Sequence, residues 1–446
     1  MAVSLYGHLP TLPLGRQLRL SQHLTRRRSP DAKILCLVID GLGGLDNPAS
    51  GISTELEEAD HPHLDVLAQR GDSGLVEVLG PYTPGSEHGH FAIFGYDPNV
   101  YIVSRGVIDA MGAGIPLQAK NVVARANLTT LDENGVILDR RAGRLSTERT
   151  RQIVDEHLSG IEVDGVRVVF EPTKDHRLAL ILQGDNLSAE ITGSDQDEGK
   201  KPNIVAPEKP GDARAERTAR IVNEVMKIVE ARLAEQTIAP QANTMLFRAF
   251  GKPVRLPSFA EVYGLNAATV AVYPAYKGIG RVMGMTTLDV GGAQTINDQF
   301  RTVAAYWDRF DFFFVHIKGT DSAGEDGDFK RKVEVIEAVD RAVPILTALL
   351  DLDRGDTFAV TADHSTPALL RGHSWHTVPF LVYSKSSWGS RSVTRFSDLD
   401  PSYGELGTIA GLDVMPFILE NTGRRSYRRG WDYHPEDRAS TMARAL

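Results

Sequence analysis

The string Thr361-Ala362-Asp363-His364-Ser365-Thr366, with His373 close behind, gathers one carboxylate and two imidazoles into a short stretch. Such side chains are ligands for borderline divalent cations. Three earlier segments offer partners. Lys33-Ile34-Leu35-Cys36-Leu37-Val38-Ile39-Asp40-Gly41 is an apolar run ending on a carboxylate and a glycine. Pro84-Gly85-Ser86-Glu87-His88-Gly89-His90 is a Pro/Gly turn that places Ser86 at the start of a predicted helix. Phe312-Phe313-Phe314-Val315-His316-Ile317-Lys318-Gly319-Thr320-Asp321 is a second apolar run reaching a carboxylate, with Glu325, Asp326 and Asp328 next. A serine hydroxyl is a weak nucleophile at neutral pH and needs activation. Two cations ~4 Å apart also stabilise the entering and leaving oxygens of an in-line displacement. Together the four segments describe a two-metal site for phosphoryl transfer.

Unbroken apolar runs of this length read as buried parallel strands, and open α/β sheets place their chemistry beyond the carboxyl ends of such strands. Each signal has a bland reading: Asp after a strand is usually a cap or turn residue, and Ser at a helix start is more often an N-cap than a nucleophile. Four strand ends carrying Asp, His or Ser are much harder to ascribe to packing. Residues 62–68 read as a short helix. Residues 329–350 carry Val333, Ile336, Val339, Val343, Leu346 and Leu350 at helical spacing, a stripe expected to pack on the sheet as core and not as a ligand site.

From about residue 119 the chain changes to shorter strands, Gly/Asp turns and scattered arginines, which predicts an inserted, smaller α+β domain over 119–285. It holds a polar loop at 193–202 and an amphipathic helix across 213–234. Residues 31–118 and 286–423 form the metal-bearing core, a mainly parallel sheet flanked by helices. Residues 1–30 read as an N-terminal extension in which Arg26, Arg27 and Arg28 are expected to be a solvated charge run, with targeting or anion binding as the alternative. Residues 424–446, with Arg424, Arg425, Arg428 and Arg429, read as a peripheral tail.

The 446 residues suffice for two or three domains with a core each, and 42% apolar and 24% charged residues are ordinary for a soluble globular chain. No apolar run approaches the roughly 18 residues of a membrane span and no secretory core is visible, so cytoplasmic residence is the expectation. The formal charge of −9 argues against non-specific nucleic-acid binding. Cys36, the single cysteine, falls inside the first strand as apolar filler and has no intramolecular disulfide partner.

With Val38-Ile39-Asp40-Gly41, Gly85-Ser86-Glu87, Gly95-Tyr96-Asp97-Pro98, Asp139-Arg140-Arg141-Ala142-Gly143-Arg144, Lys277-Gly278-Ile279-Gly280-Arg281 and Thr361-Ala362-Asp363-His364-Ser365, the chain resembles the cofactor-independent phosphoglycerate mutases of the archaeal type, in the alkaline phosphatase superfamily. The resemblance runs from about residue 31 to about 423. It implies an alkaline-phosphatase-like α/β core, with Asp40, Ser86, Asp363 and His364 around one divalent ion and Asp321, the residue at 325 and His373 around a second. Ser86 is then the nucleophile. Manganese is the first expectation for the two ions, with zinc or magnesium as alternatives.

The resemblance also implies a small phosphorylated acid as substrate, with Arg125, Arg140, Arg141, Arg144, His176, Arg177, Lys277 and Arg281 of the insert holding its carboxylate and phosphate. For any one of these, a solvated surface cation is the competing reading. No nucleic-acid or membrane partner is expected, and the oligomeric state is open. Two departures stand out. Glu325 occupies the place of a histidine in the family's Thr-Asp-x-x-Gly-His-Asp-Gly-Asp string, replacing a neutral donor with an anion. Asp195-Gln196-Asp197-Glu198 replaces an Asp-Pro-His string that helps line the cleft. The reaction implied is the interconversion of 3-phosphoglycerate and 2-phosphoglycerate, a step of glycolysis and gluconeogenesis, through a phosphoserine, with the insert as a hinged lid. A metal-dependent phosphomonoesterase or a small-molecule phosphotransferase on the same scaffold is the alternative.

Overall fold

The computed structural model describes Tyr6, residues 8–12, Ser29, residues 31–47, Gly51 and residues 53–424. Arg26, Arg27, Arg28, Arg425, Arg428 and Arg429 therefore lie outside the described residues. The chain divides into two compact units: residues 14–101, 259–271 and 288–446 form one, and residues 1–13, 102–258 and 272–287 form the other.

The first unit is built on a sheet in which seven of its strands follow the order Ala267–Val270, Phe312–Ile317, Ile34–Ile39, Thr357–Thr361, Val378–Tyr383, Asp72–Glu77 and Gly407–Ala410. The four strands from Ala267–Val270 to Thr357–Thr361 are parallel, as is the Asp72–Glu77 and Gly407–Ala410 pair, while Val378–Tyr383 runs antiparallel to both of its neighbours. Ile34–Ile39 and Phe312–Ile317 are buried at every residue, which is why both read as unbroken apolar runs. Cys36 is buried within the first of them. Register then dictates the site. Val38 faces both His316 and Thr361, and Ile39 faces Ile317, so Asp40, Lys318 and Asp363 all emerge at one carboxyl edge. Because the next strand is antiparallel, the connection across 362–377 begins and ends at that edge and keeps His373 there.

Helix Phe329–Thr347 packs beside helices Ile296–Tyr306, Gly319–Asp326 and Pro62–Arg70, and its buried set is not purely apolar. Lys332 and Asp340 are buried beside Ile336, Val339, Val343 and Leu346, whereas Val333 and Leu350 are only partly covered. The expected stripe thus holds at its four central positions and fails at its two ends. Asp340 accounts for itself by accepting from the backbone N–H groups of His63 and Leu64 at the start of helix Pro62–Arg70, which lacks a side-chain cap of its own. Arg424, placed in the peripheral tail from sequence, is buried, donating to the Ala32 carbonyl at 2.6 Å and to Asp311 at 2.7 Å.

The second unit is a six-stranded antiparallel sheet. Ile137–Asp139, Val122–Leu131, Arg177–Gln183, Val166–Lys174 and Ile161–Val163 follow in order, and Thr244–Gly251 also pairs with Val122–Leu131. Helix Ala213–Leu233 buries Ala215, Ala219, Val222, Val225, Val229 and Leu233 in its core. Residues 102–118 were assigned to the metal-bearing core by sequence, yet helix Arg105–Gly112 packs on the Val122–Leu131 and Thr244–Gly251 strands. Residues 259–271 differ in the opposite sense, because Ala267–Val270 is a parallel partner of Phe312–Val315 in the first unit. Part of the supposed N-terminal extension is ordered by the second unit: the Tyr6 hydroxyl reaches the carbonyls of Met111 and Ile115, and Leu12 pairs with Arg255.

Candidate active site

At the carboxyl edge of the first sheet, Asp40, Asp363 and His364 are fully buried and meet one another. His364 Nε2 lies 3.4 Å from Asp40 Oδ1 and 3.2 Å from Asp363 Oδ2. Gly41 has φ +62°, and a β-carbon there would strike Thr366, so the turn out of the first strand is open only to glycine. Ser86 is the first residue of helix Ser86–Ile93, with Gly85 as the cap, so its side chain is not the cap. Its Oγ stands 3.5 Å from His364 Nε2. A β-carbon at Gly89 would collide with the Asp363 carbonyl, which shows how closely this helix start is pressed against the Asp363 turn.

Asp321, in the first turn of helix Gly319–Asp326, accepts from Thr366 Oγ1 at 2.7 Å and lies 3.3 Å from His373 Nε2. The His373 ring stacks on His364 at 3.7 Å, and its Nδ1 meets the Pro84 carbonyl at 3.0 Å. Asp40 with Asp363 and His364, and Asp321 with His364 and His373, form two groups whose ligand atoms converge closely enough to hold a metal ion each. Both Asp40 oxygens and Asp363 Oδ2 are buried without a hydrogen bond of good geometry. Buried carboxylate oxygens in that condition are costly unless a cation completes them, so the donor set fits divalent metals. Glu325 sits at the margin, half exposed, with Oε1 3.9 Å from His373 Nε2, and belongs to neither converging group.

Four residues not named as site residues from the sequence complete the surroundings. His316 Nε2 and Lys318 Nζ each stand 3.2 Å from Asp40 Oδ2, and Lys318 also contacts Asp321 closely. His90 Nδ1 lies 2.6 Å from the Ser86 carbonyl and 3.2 Å from Asp363 Oδ2. Thr366 Oγ1 joins Asp321 to His364 Nδ1, the latter at 3.0 Å. The electrostatics follow. Burial pushes Asp40 upward, but Lys318 and then His316 and His364 outweigh it and hold the carboxyl well below its ordinary range. Burial and Asp40 raise Asp321, yet Lys318 and His373 bring it to about 2. Burial drives His316 down to about 4 despite Asp40 beside it. Neutral His316 can orient Asp40 without adding charge.

The predicted anion-binding residues fall in the second unit, and the structure separates them. Arg125 lies 3.4 Å from Asp109, and Arg125, Arg141, His176 and Arg177 are close enough to influence one another electrostatically. Arg140 instead grips Asp195 through two hydrogen bonds of 3.1 and 2.6 Å, and Arg248 shares that carboxylate at 2.8 Å. Arg281 donates to the carbonyls of Met111 and Gly112, closing the end of helix Arg105–Gly112. Arg144 has a left-handed backbone, φ 54°, in the turn after Asp139. Lys277 lies near Lys174, whose ammonium sits 3.6 Å from the centre of the Tyr273 ring.

Burial, with Arg177, Arg125 and Arg141 nearby, depresses His176 to about 3. Between pH 6.5 and 3 the unfolded chain therefore binds more protons at this position, so stability is lost as pH falls through that window. His176→Asn should shrink the difference in urea midpoint between pH 7 and pH 4.5. An unchanged difference would refute the assignment.

The family model described as 2,3-bisphosphoglycerate-independent phosphoglycerate mutase matches residues 68–239. A Thermotoga neapolitana protein named probable 2,3-bisphosphoglycerate-independent phosphoglycerate mutase is 42% identical over 396 residues, covering 88% of this chain and 95% of that protein. Among solved structures, a Pyrococcus horikoshii protein aligns with TM-score 0.74 at 26% identity, over 90% of this chain and 98% of that one. The cofactor-independent phosphoglycerate mutase of Thermoplasma acidophilum aligns with TM-score 0.60 at 27% identity, over 87% and 100%. With that extent of identity added to a serine at a helix start facing two converging carboxylate–imidazole groups, the chain belongs to the 2,3-bisphosphoglycerate-independent phosphoglycerate mutase family.

Proposed function

We propose that this protein interconverts 3-phosphoglycerate and 2-phosphoglycerate through a phosphorylated Ser86, in the archaeal-type branch to which Gly95-Tyr96-Asp97-Pro98 and the Asp139–Arg144 string point. One observation carries the reading: Ser86 Oγ stands 3.5 Å from His364, the residue shared by both ligand groups. Asp40, Asp363 and His364 would hold one divalent ion and Asp321, His364 and His373 would flank the second, with manganese the best match to mixed carboxylate and imidazole donors. When bound, such ions neutralise phosphoryl charge and lower the pKa of a coordinated hydroxyl.

The chain's own residues do the rest. Ser86 Oγ bonds to phosphorus as the bond to the substrate's 3-oxygen breaks, and the retained glycerate presents its 2-oxygen for the return transfer, which frees the serine. Ser86 stands at a helix N-terminus, which favours a phosphoryl group there. Lys318 adds a fixed positive charge beside Asp40 and Asp321. In the second unit, Arg125, Arg141 and Arg177 lie close enough together to share a carboxylate, with Arg125 also beside Asp109 and Arg177 beside Asp175, while Arg140 and Arg281 are held by Asp195 and by backbone carbonyls. Retention of glycerate and exclusion of water separate a mutase from a phosphatase. No helix among the described residues is long and apolar enough to cross a membrane, and a cytoplasmic site of action belongs to this reading.

A phosphorus NMR time course with 3-phosphoglycerate and Mn²⁺ tests it. Growth of 2-phosphoglycerate to a stable ratio is expected, whereas inorganic phosphate alone would make the protein a phosphomonoesterase. That second reading draws on Glu325, whose carboxylate stands apart from both converging groups. If Glu325 swings onto the second ion, Glu325→Ala should weaken that ion about tenfold, and Glu325→His should retain both ions with a shift toward zinc. Unchanged metal stoichiometry and affinity in both variants would show that Glu325 is not a ligand.

A further inference from the structure

Lys332 is the one lysine among the described residues with no exposed surface. It sits in the buried face of helix Phe329–Thr347, where an apolar side chain would serve packing better, because a charge withdrawn from water costs more than a buried ion pair usually returns. Its surroundings are those of a cation site. Nζ donates to the Gly43 carbonyl at 3.0 Å and the Thr366 carbonyl at 2.9 Å, and lies 3.5 Å from Glu55 Oε2. Two of the ammonium's donors are thus taken by carbonyls of two separate segments, and the Glu55 carboxylate of a third segment supplies the opposite charge.

Two of those segments carry the metal ligands. Gly43 follows Asp40 by three residues, and Thr366 follows His364 by two. The two loops are already laced, with the Thr366 N–H directed at the Gly41 and Gly43 carbonyls at 3.3 and 3.2 Å. Glu55 extends the lacing by accepting from the Ala368 N–H at 2.7 Å, and Asp398 accepts from the Gly44 N–H at 3.2 Å. Thr366 turns its hydroxyl the other way, onto Asp321 and His364. A chain of contacts thus leads from the Lys332 ammonium through Thr366 to ligands of both groups.

We propose that Lys332 is a positioning residue, an internal cation that clamps the loop after Asp40 to the loop after His364 and thereby sets the affinity of both ligand groups for divalent ions. The proposal rests on the reading of those groups as a two-metal site. A clamp of this kind acts on ligand geometry and not on substrate contacts, so its loss should appear in metal affinity and in kcat at limiting metal, with KM for 3-phosphoglycerate unmoved once metal saturates.

The test is calorimetric titration of the chelator-stripped full chain with Mn²⁺, for the unsubstituted protein, Lys332→Met and Thr366→Val, with steady-state kinetics across a Mn²⁺ series. Loss of a residue that orients metal ligands typically weakens binding about 10- to 100-fold. Both variants should bind Mn²⁺ at least about tenfold more weakly, and excess Mn²⁺ should recover most of kcat. Thr366→Val keeps the ammonium and its bond to the residue 366 carbonyl and breaks only the hydroxyl link to Asp321 and His364, so it tests the last step from clamp to ligands even if Lys332→Met does not fold. Unchanged Mn²⁺ affinity in the variants, with only a lower melting temperature, overturns the clamp. Absence of Mn²⁺ binding by the unsubstituted protein overturns the two-metal reading and the clamp with it.

Discussion

Ser86→Ala should abolish turnover, by about 10⁴-fold or more as for other covalent nucleophiles, while the protein stays folded and keeps its divalent ions. The separation follows from where the serine sits. It is the first helical residue behind a Gly85 cap, so alanine forfeits no side-chain cap and enters a position that tolerates it well. Asp40, Asp363, His364, Asp321 and His373 are untouched, and Ser86 Oγ is 3.5 Å from His364 Nε2, so the imidazole and carboxylate set can persist without the hydroxyl. Mass spectrometry of protein quenched during turnover should find a phosphorylated species in the unsubstituted chain and none in the variant. Retained activity above a hundredth of the original would exclude the covalent route.

The six residues with the strongest bearing on this site were legible because each lies just beyond an apolar run or in a turn of distinctive composition. Asp40 and Asp363 follow strands buried on both faces, and parallel register alone brings such positions to one edge. His316 was hidden by the same logic, since a lone imidazole inside Phe312–Ile317 looks like an ordinary core residue until pairing places it against Asp40. Lys332 was harder still. Helical periodicity placed Val333 on the buried face, and only the acceptors Gly43, Thr366 and Glu55, distant in sequence, explain why the lysine one residue earlier is the one enclosed. Among the arginines, sequence could not show which partners each one takes, such as Asp195 for Arg140 and Asp109 for Arg125. That distinction depends on partners far along the chain. The same limit moved residues 102–118 into the second unit, because the helix they contain finds its apolar partners only after the Val122–Leu131 and Thr244–Gly251 strands pair.

On the two-metal reading, Asp40→Asn should reduce activity on the order of 10³-fold and lower the bound metal from two ions to one. Asp40 is enclosed completely, its oxygens are without good hydrogen bonds, and Lys318 keeps the group ionised far below its ordinary range. Asparagine matches its volume but removes the anion and turns an amide donor toward Lys318, His316 or His364. One ligand group then loses its charge balance, while Asp321, His364 and His373 remain for the other. The discriminating measurement is the rise in melting temperature on adding Mn²⁺. A ligand at about a hundred times its dissociation constant stabilises a fold by roughly 2.7 kcal/mol per site, so the unsubstituted protein should gain from two sites and Asp40→Asn from one. A variant that kept the full Mn²⁺ increment would remove Asp40 from the ligand set, whereas loss of the whole increment would mean that the two ions bind as a unit, with His364 as the residue through which they are coupled.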